Sequence, residues 1–213
     1  MDYMILTAAI VSTGENEIIL YGSEGEKYRI SLADCKRIGL YRYVENPELL
    51  PEETDGQMLE FLSKKLSCVK YAVYLLEFGD KSRKALMMKL KSKGYDEDTC
   101  EAAMDVLEKN GVVDDERLCG QKLVSLANAK FYGPYRLKSE LMKKGFTSRQ
   151  VDIAFDDAEI DFDDLLERLV GKLTLRGFPE DDKSYLALKN KLIRYGYSYE
   201  SVSSVLEKFS TGY

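Results

Sequence analysis

Histidine is absent from this 213-residue chain. That removes the commonest general base, metal ligand and nucleophile activator, so serine–histidine and cysteine–histidine catalysis are excluded. Tryptophan is absent as well, and there are only four prolines. The four cysteines, Cys35, Cys68, Cys100 and Cys119, are widely spaced with no Cys-x-x-Cys, so neither a zinc site nor a disulfide framework is expected. Reduced, partly buried thiols in a cytosolic protein are the natural reading. No stretch reaches the ~18 apolar residues of a membrane span, and no charged-then-apolar leader opens the chain, so a soluble, cytoplasmic protein without membrane contact is expected. No G-x-x-x-x-G-K-[ST] or G-x-G-x-x-G run offers a phosphate cradle. Asp114 with Asp115, and Asp156 with Asp157, are carboxylate pairs read as helix caps at helix starts rather than magnesium ligands. No catalytic residue, metal or cofactor is therefore expected, and the chain is not read as an enzyme.

What is present is a repeat. Leu86, Leu90, Gly94 and Tyr95 recur as Leu137, Leu141, Gly145 and Phe146, and again as Leu188, Leu192, Gly196 and Tyr197, a period of 51 residues. The leucines at i and i+4 mark one stripe of a helix that ends at a left-handed glycine, with the aromatic folding back on the second leucine in a Schellman cap. Asp96, Thr147 or Ser198 follows, each a good N-cap, and Gln150 completes a capping box with Thr147. The next helix of each copy carries i, i+3, i+4, i+7 sets: Cys100, Ala103, Met104 and Leu107; Val151, Ala154, Phe155 and Ala158; Val202, Val205, Leu206 and Phe209. A third helix precedes each leucine pair, at about 57–79 with Val69, Ala72, Val73 and Leu76, about 115–130 and about 163–176. These residues serve core packing and capping.

The expected fold is therefore mainly α, with three tandem three-helix repeats at 57–111, 112–161 and 162–213 forming an elongated α-solenoid. The first 44 residues read differently. Apolar runs around Ile5 to Val11, Glu17 to Tyr21 and Lys27 to Ile30 are separated by turn signals at Gly14-Glu15-Asn16 and Gly22-Ser23-Glu24-Gly25, which predicts a small β-meander. Ser31 caps a short helix to about Ile38, and residues 45–56, with Pro47, Pro51 and several carboxylates, read as a solvated linker.

Charge is unevenly placed. The net charge is −6, which argues against a generic nucleic-acid binder. Yet 81–93 holds Lys81, Arg83, Lys84, Lys89, Lys91 and Lys93 with no carboxylate, and 130–149 holds Lys130, Arg136, Lys138, Lys143, Lys144 and Arg149 against Glu140. At about 100° per residue Lys84 and Lys91 lie away from Leu86 and Leu90, so the middle helices predict a positive strip. Cations near helix ends are also what the helix dipole favours, and a solvated face is the ordinary alternative.

Two strings resemble a known family. Ala72-Val73-Tyr74-Leu75-Leu76, Lys81-Ser82-Arg83 and Lys89-Leu90-Lys91-Ser92-Lys93-Gly94-Tyr95 resemble the first repeat of the RecX regulatory proteins. Gly111-Val112-Val113-Asp114-Asp115-Glu116-Arg117, then Tyr132-Gly133-Pro134, Arg136-Leu137, Glu140-Leu141 and Lys144-Gly145-Phe146, resemble the second, and the resemblance covers about 61–213. It implies a modulator of the RecA recombinase that lies along the RecA–single-stranded DNA filament and hinders filament growth, ATP hydrolysis, strand exchange and coprotease activity. On that basis Arg83, Lys84, Lys89, Lys91, Lys93, Tyr132, Arg136, Lys138, Lys143 and Lys144 are expected to face the filament's acidic surface or its DNA backbone. Any direct contact with naked DNA is expected to be weak, and the protein to be a monomer, since no long apolar face is left over. The alternative is a helical-repeat nucleic-acid-binding protein acting without a recombinase.

Overall fold

The computed structural model describes residues 3–12 and 16–211; Gly14 and Glu15 of the first expected turn lie outside them. The chain divides into two compact units, Met1–Lys81 with Leu86–Val113, and Ser82–Ala85 with Asp114–Tyr213.

The first unit begins with an antiparallel sheet of β1 (Tyr3–Val11), β2 (Glu17–Gly22), β3 (Lys27–Ser31) and β4 (Glu52–Asp55), in the order β3-β2-β1-β4. Alternation sends Leu6, Ile18, Leu20 and Ile30 to one face, where each is fully buried. Ser31 caps α1 (Leu32–Arg37) by accepting the Asp34 amide at 3.0 Å, as its position in the sequence predicts. A short α2 (Arg42–Glu45) adds Tyr43 to the same core.

The segment 45–56 is not a free linker. Its end forms β4, which pairs with β1 from Leu6↔Glu52 to Tyr3↔Asp55. Thr54 turns inward while Glu52 and Glu53 stay in solvent. Charged side chains on a short outer strand discourage pairing with other chains, so acidic composition is compatible with an edge strand. Asp55 then caps α3 (Gly56–Glu77), accepting the Met58 amide at 3.1 Å.

Helix α3 has 22 residues, a span of about 33 Å at ~1.5 Å per residue. Its first turns bury Leu59 and Leu62 against the sheet, and its later turns bury Cys68 and Ala72 against α4 (Arg83–Lys93) and α5 (Glu97–Lys109). Lys65 reaches Asp34 at 2.7 Å, both side chains nearly buried, and Lys70 reaches Glu17 at 2.5 Å. The boundary expected between sheet segment and first repeat therefore falls inside one compact unit, because one continuous helix serves both cores. Val73, assigned to the apolar stripe of α3 by its spacing, is 42% exposed, and Cys68 occupies the buried place.

The second unit contains α6 (Asp115–Lys130), α7 (Pro134–Lys143), α8 (Ser148–Asp157), α9 (Phe162–Leu173), α10 (Asp182–Arg194) and α11 (Tyr199–Thr211). With α3 to α5 they make three successive helix trios among the described residues, a helical-repeat fold. Each leucine pair is buried: Leu86 with Leu90, Leu137 with Leu141, and Leu188 with Leu192. The glycine stops are left-handed, with φ of 104° at Gly94, 99° at Gly145 and 96° at Gly196. Tyr95 N–H donates to the Leu90 carbonyl and Phe146 N–H to that of Leu141, each at 3.3 Å, the outer bond of a Schellman cap. Asp96, Thr147 and Ser198 accept the amides of Thr99, Gln150 and Ser201, and Gln150 closes the capping box.

Candidate functional site

The leucine helices α4, α7 and α10 carry the residues of interest, and two of them begin in the same way. Within the second unit, the residues that open a leucine helix sit on a glycine stop further along the chain. Ser82, at the head of α4, accepts the Ala85 amide at 3.3 Å and donates its hydroxyl to the Lys144 carbonyl at 2.6 Å. Gly133, at the head of α7, donates its amide to the Tyr195 carbonyl at 2.8 Å, and Tyr135 N–H donates to the Gly196 carbonyl at 3.1 Å. The Ser82–Lys144 and Gly133–Tyr195 contacts each join positions 62 residues apart. Glycine is required at the receiving end on two counts. A Cβ on Gly145 would fall 2.7 Å from Ser82 Oγ, and one on Gly196 would strike the Arg136 backbone, besides the strain of a positive φ.

The Asp114-Asp115 pair divides its labour across this junction. Asp114 caps its own helix, accepting the Arg117 amide at 2.9 Å. Asp115 instead accepts the Arg83 amide at 2.8 Å, satisfying an orphan donor at the head of α4. Burial pushes the Asp115 carboxyl above its ordinary range, opposed by the bonds from Arg83 and Gln150. Asp156 and Asp157 end α8 rather than begin a helix, and Asp161 caps α9. The expectation that both pairs mark helix starts is corrected at the second, because the turn lies four residues later.

The predicted partner-binding residues fall into three groups. Tyr132 and Arg136 are absorbed by the junction. The Arg136 guanidinium lies 4.0 Å over the Tyr132 ring and donates to the Arg194 carbonyl at 3.1 Å, while Tyr132 packs edge-on against Tyr195. A second set is exposed but ion-paired: Lys91 with Glu97, Lys138 with Asp152 at 2.9 Å, and Lys143 with Glu140 at 3.2 Å. Arg83 is half-buried where its backbone meets Asp115. Lys84, Lys89 and Lys144 are solvent-exposed, and exposed Lys93 lies 5.4 Å over the Tyr71 ring. The fold brings Lys84 and Lys144 together around Gly145 and places Lys89, Lys91 and Lys93 on the last turns of α4.

Two features carried no signal in the reading of charge and leucine spacing. One is an aromatic ladder on α3 in which Tyr71 stacks on Tyr74 at 6.1 Å and Tyr74 meets Phe78 edge-on at 5.0 Å, with Tyr74 and Phe78 51% and 70% exposed. The i, i+3, i+7 spacing of these rings is legible in the sequence. The other is a set of outward apolar side chains on α7 and α10. Among the described residues, no three His, Cys, Asp or Glu groups are placed to hold a metal ion, and no helix is long and apolar enough to cross a membrane. A depression of about 450 Å³ is lined by Tyr3, Met4, Ile5, Pro51, Glu52 and Glu53, and one of about 290 Å³ lies beside Glu116, Arg117, Val124 and Asp157.

Helix trios with left-handed glycine stops, and cations on the leucine helices, define a helical-repeat protein. The family profile described as "RecX, first three-helix domain" matches residues 68–107. The regulatory protein RecX of Haemophilus ducreyi is 35% identical over 108 residues, 51% of this chain and 71% of that protein. That of Pseudomonas fluorescens is 27% identical over 70% of this chain and 96% of its own length. A crystal structure of regulatory protein RecX superposes with a TM-score of 0.74 over 96% of this chain and 99% of that one, at 14% identity. The structure of RecX from Lactobacillus salivarius gives 0.62 over 70% and 97%, at 19% identity. The fold is shared with both, and the chain belongs to the RecX family of regulatory proteins.

Proposed function

We propose that this chain binds the RecA–single-stranded DNA filament and modulates it, mostly by inhibiting filament growth, ATP hydrolysis and strand exchange during recombination and repair. Membership of the RecX family is the observation that carries this reading. The exposed cations of α4 and α7, in a chain of net charge −6, support it. Tandem repeats suit a polymeric partner, because successive contacts along a filament raise the effective concentration of the next. The surface carries the role rather than a cleft.

The test reverses charge at Lys84, Lys91, Lys138 and Lys143 together. Filament binding and inhibition of the RecA ATPase are expected to fall while the far-ultraviolet circular dichroism stays unchanged. Inhibition equal to the unmodified protein's would overturn the assignment.

The aromatic ladder of α3 favours a second reading, direct binding of single-stranded nucleic acid without a recombinase. Exposed Tyr74 and Phe78 offer π-faces to bases, and Lys93 adds a cation. A salt titration separates the two. Tight, steeply salt-dependent binding to naked single strands supports the second reading; weak binding that becomes strong only on a preformed filament supports the first.

A further inference from the structure

The 51-residue period allows the outward face of each leucine helix to be compared position by position. In α4 the outward i, i+4, i+7 residues are Lys84, Met88 and Lys91. The same positions in α7 are Tyr135, Ser139 and Met142, and in α10 Leu186, Asn190 and Ile193. All nine are exposed to solvent. The cations of the first stripe are replaced by large apolar side chains in the other two: Tyr135 is 68% exposed, Met142 52%, Leu186 56% and Ile193 37%. Isolated exposed apolar residues need no explanation, but four at repeat-equivalent positions on two helices that meet end to head are a pattern that does. The head of the α7 stripe meets the end of the α10 stripe, since Tyr135 N–H bonds the Gly196 carbonyl and Gly196 N–H bonds that of Ile193.

We infer that Tyr135, Met142, Leu186 and Ile193 form the docking face for a protein surface that is apolar at its centre and acidic at its rim. This rests on the function proposed above, and assigns the face to the recombinase subunits of the filament rather than to its DNA. Charge around the patch argues for the acidic rim. Helices α7 and α10 together carry seven cations, Arg136, Lys138, Lys143, Lys183, Lys189, Lys191 and Arg194, against Glu140 and Asp182 on the same helices, and they stay in excess when the pairing of Lys138 with Asp152 on α8 is counted. The chain as a whole has the opposite sign. The chemistry of the centre argues for protein. Leucine, isoleucine and methionine present no π-face on which a base can stack, and a phosphate backbone gains nothing from them. Tyrosine, methionine and arginine are enriched where one protein meets another, with an apolar centre inside a polar rim.

The experiment compares the full-length protein with two variants, Tyr135→Ser/Met142→Ser and Leu186→Ser/Ile193→Ser. Binding is measured to RecA filaments assembled on single-stranded DNA and to the same DNA alone, across a salt series, with thermal melts recorded for each protein. Each pair is expected to weaken filament binding by about tenfold or more, as loss of interface anchors does. The slope of log affinity against log salt and the affinity for naked DNA are expected to stay unchanged, since no phosphate contact is removed. Should a serine pair lower the melting temperature, Tyr135→Glu and Leu186→Glu at the two most exposed positions serve instead, and are expected to weaken binding through repulsion from the acidic rim. Filament binding equal to wild type in the folded variants overturns the docking face. So does a loss that is matched on naked DNA with a shallower salt slope, which makes the face a DNA site. Self-association of the wild type that the variants abolish also overturns it, by assigning the face to a second copy. A wild type that binds no filament overturns the proposed function itself.

Discussion

Gly133 lies so close to Gly196 that a Cβ on the first would stand 2.5 Å from the carbonyl oxygen of the second. Two glycines 63 positions apart are therefore one structural element. Gly133 brings the head of α7 in, and Gly196 ends α10 and receives it. The same arrangement joins Ser82 to Gly145, with a serine hydroxyl in place of the glycine amide.

The three repeat glycines should not tolerate alanine equally. Gly94 has open space where a Cβ would go, so Gly94→Ala meets only the left-handed strain of φ 104°, a cost of about 1–2 kcal/mol. At Gly196 the added methyl also collides with the Arg136 backbone, and a cost of about 3 kcal/mol or more is expected from strain and overpacking together. Urea unfolding of the two variants measures the difference; equal destabilisation would show that the close approach relaxes freely.

Leu141 and Met142 are neighbours with opposite fates. Leu141 is fully buried and Met142 is 52% exposed. Leu141→Ala should cost about 2–5 kcal/mol through lost burial and the cavity left behind. Met142→Ala should stay within about 0.5 kcal/mol. A chevron or equilibrium melt that reverses this order would mean α7 is rotated from the face described.

The Asp34–Lys65 pair makes the first unit sensitive to acid. Burial opposes ionisation of Asp34, but bonds from Lys65, Ser31 and Arg37 outweigh it and hold the carboxyl below its ordinary value. A carboxyl depressed in the folded state stabilises fully above its unfolded value, near pH 4, and that contribution disappears as pH falls through the lower folded value. Lys65→Met, which leaves the buried Asp34 carboxylate with only Ser31 and the exposed Arg37, should cost up to about 3 kcal/mol at neutral pH. Adding Asp34→Asn should recover part of the loss, and should flatten the fall in melting temperature between neutral and acid pH.

All four cysteines are buried and free. Burial pushes the thiols of Cys35 and Cys119 up to about 11 and that of Cys68 up to about 12, and raises Cys100 as well. Since the thiolate is the reactive form, none should react with an aromatic disulfide reagent at pH 8 in the folded protein. All four should titrate in denaturant. Rapid reaction of one in the native state would reveal local opening of the core that holds it.

The three helix trios were legible because their signals are local. A glycine stop, the aromatic two places beyond the last helical residue and the cap after it act within one turn of chain, so the 51-residue period carries them directly. The heads of α4 and α7, by contrast, are set by chain crossings. Nothing in the spacing of Tyr132 and Arg136 indicates that they close on Tyr195 and Arg194, or that Lys138 finds Asp152. They read as available cations until the crossing is known. Similarly, Asp115 looks like a second cap for α6 until Arg83 arrives beside it.

The amino-acid sequence by itself determined the repeat unit, its helix limits, its buried leucines and the basic character of the leucine helices, because each follows from periodicity and neighbouring residues. Tertiary structure alone decided that the acidic 52–55 segment pairs with β1 and that α3 serves two cores. Those outcomes depend on which distant segments exclude water from one another, and hydrophobic burial has no direction along the chain that a local pattern could record.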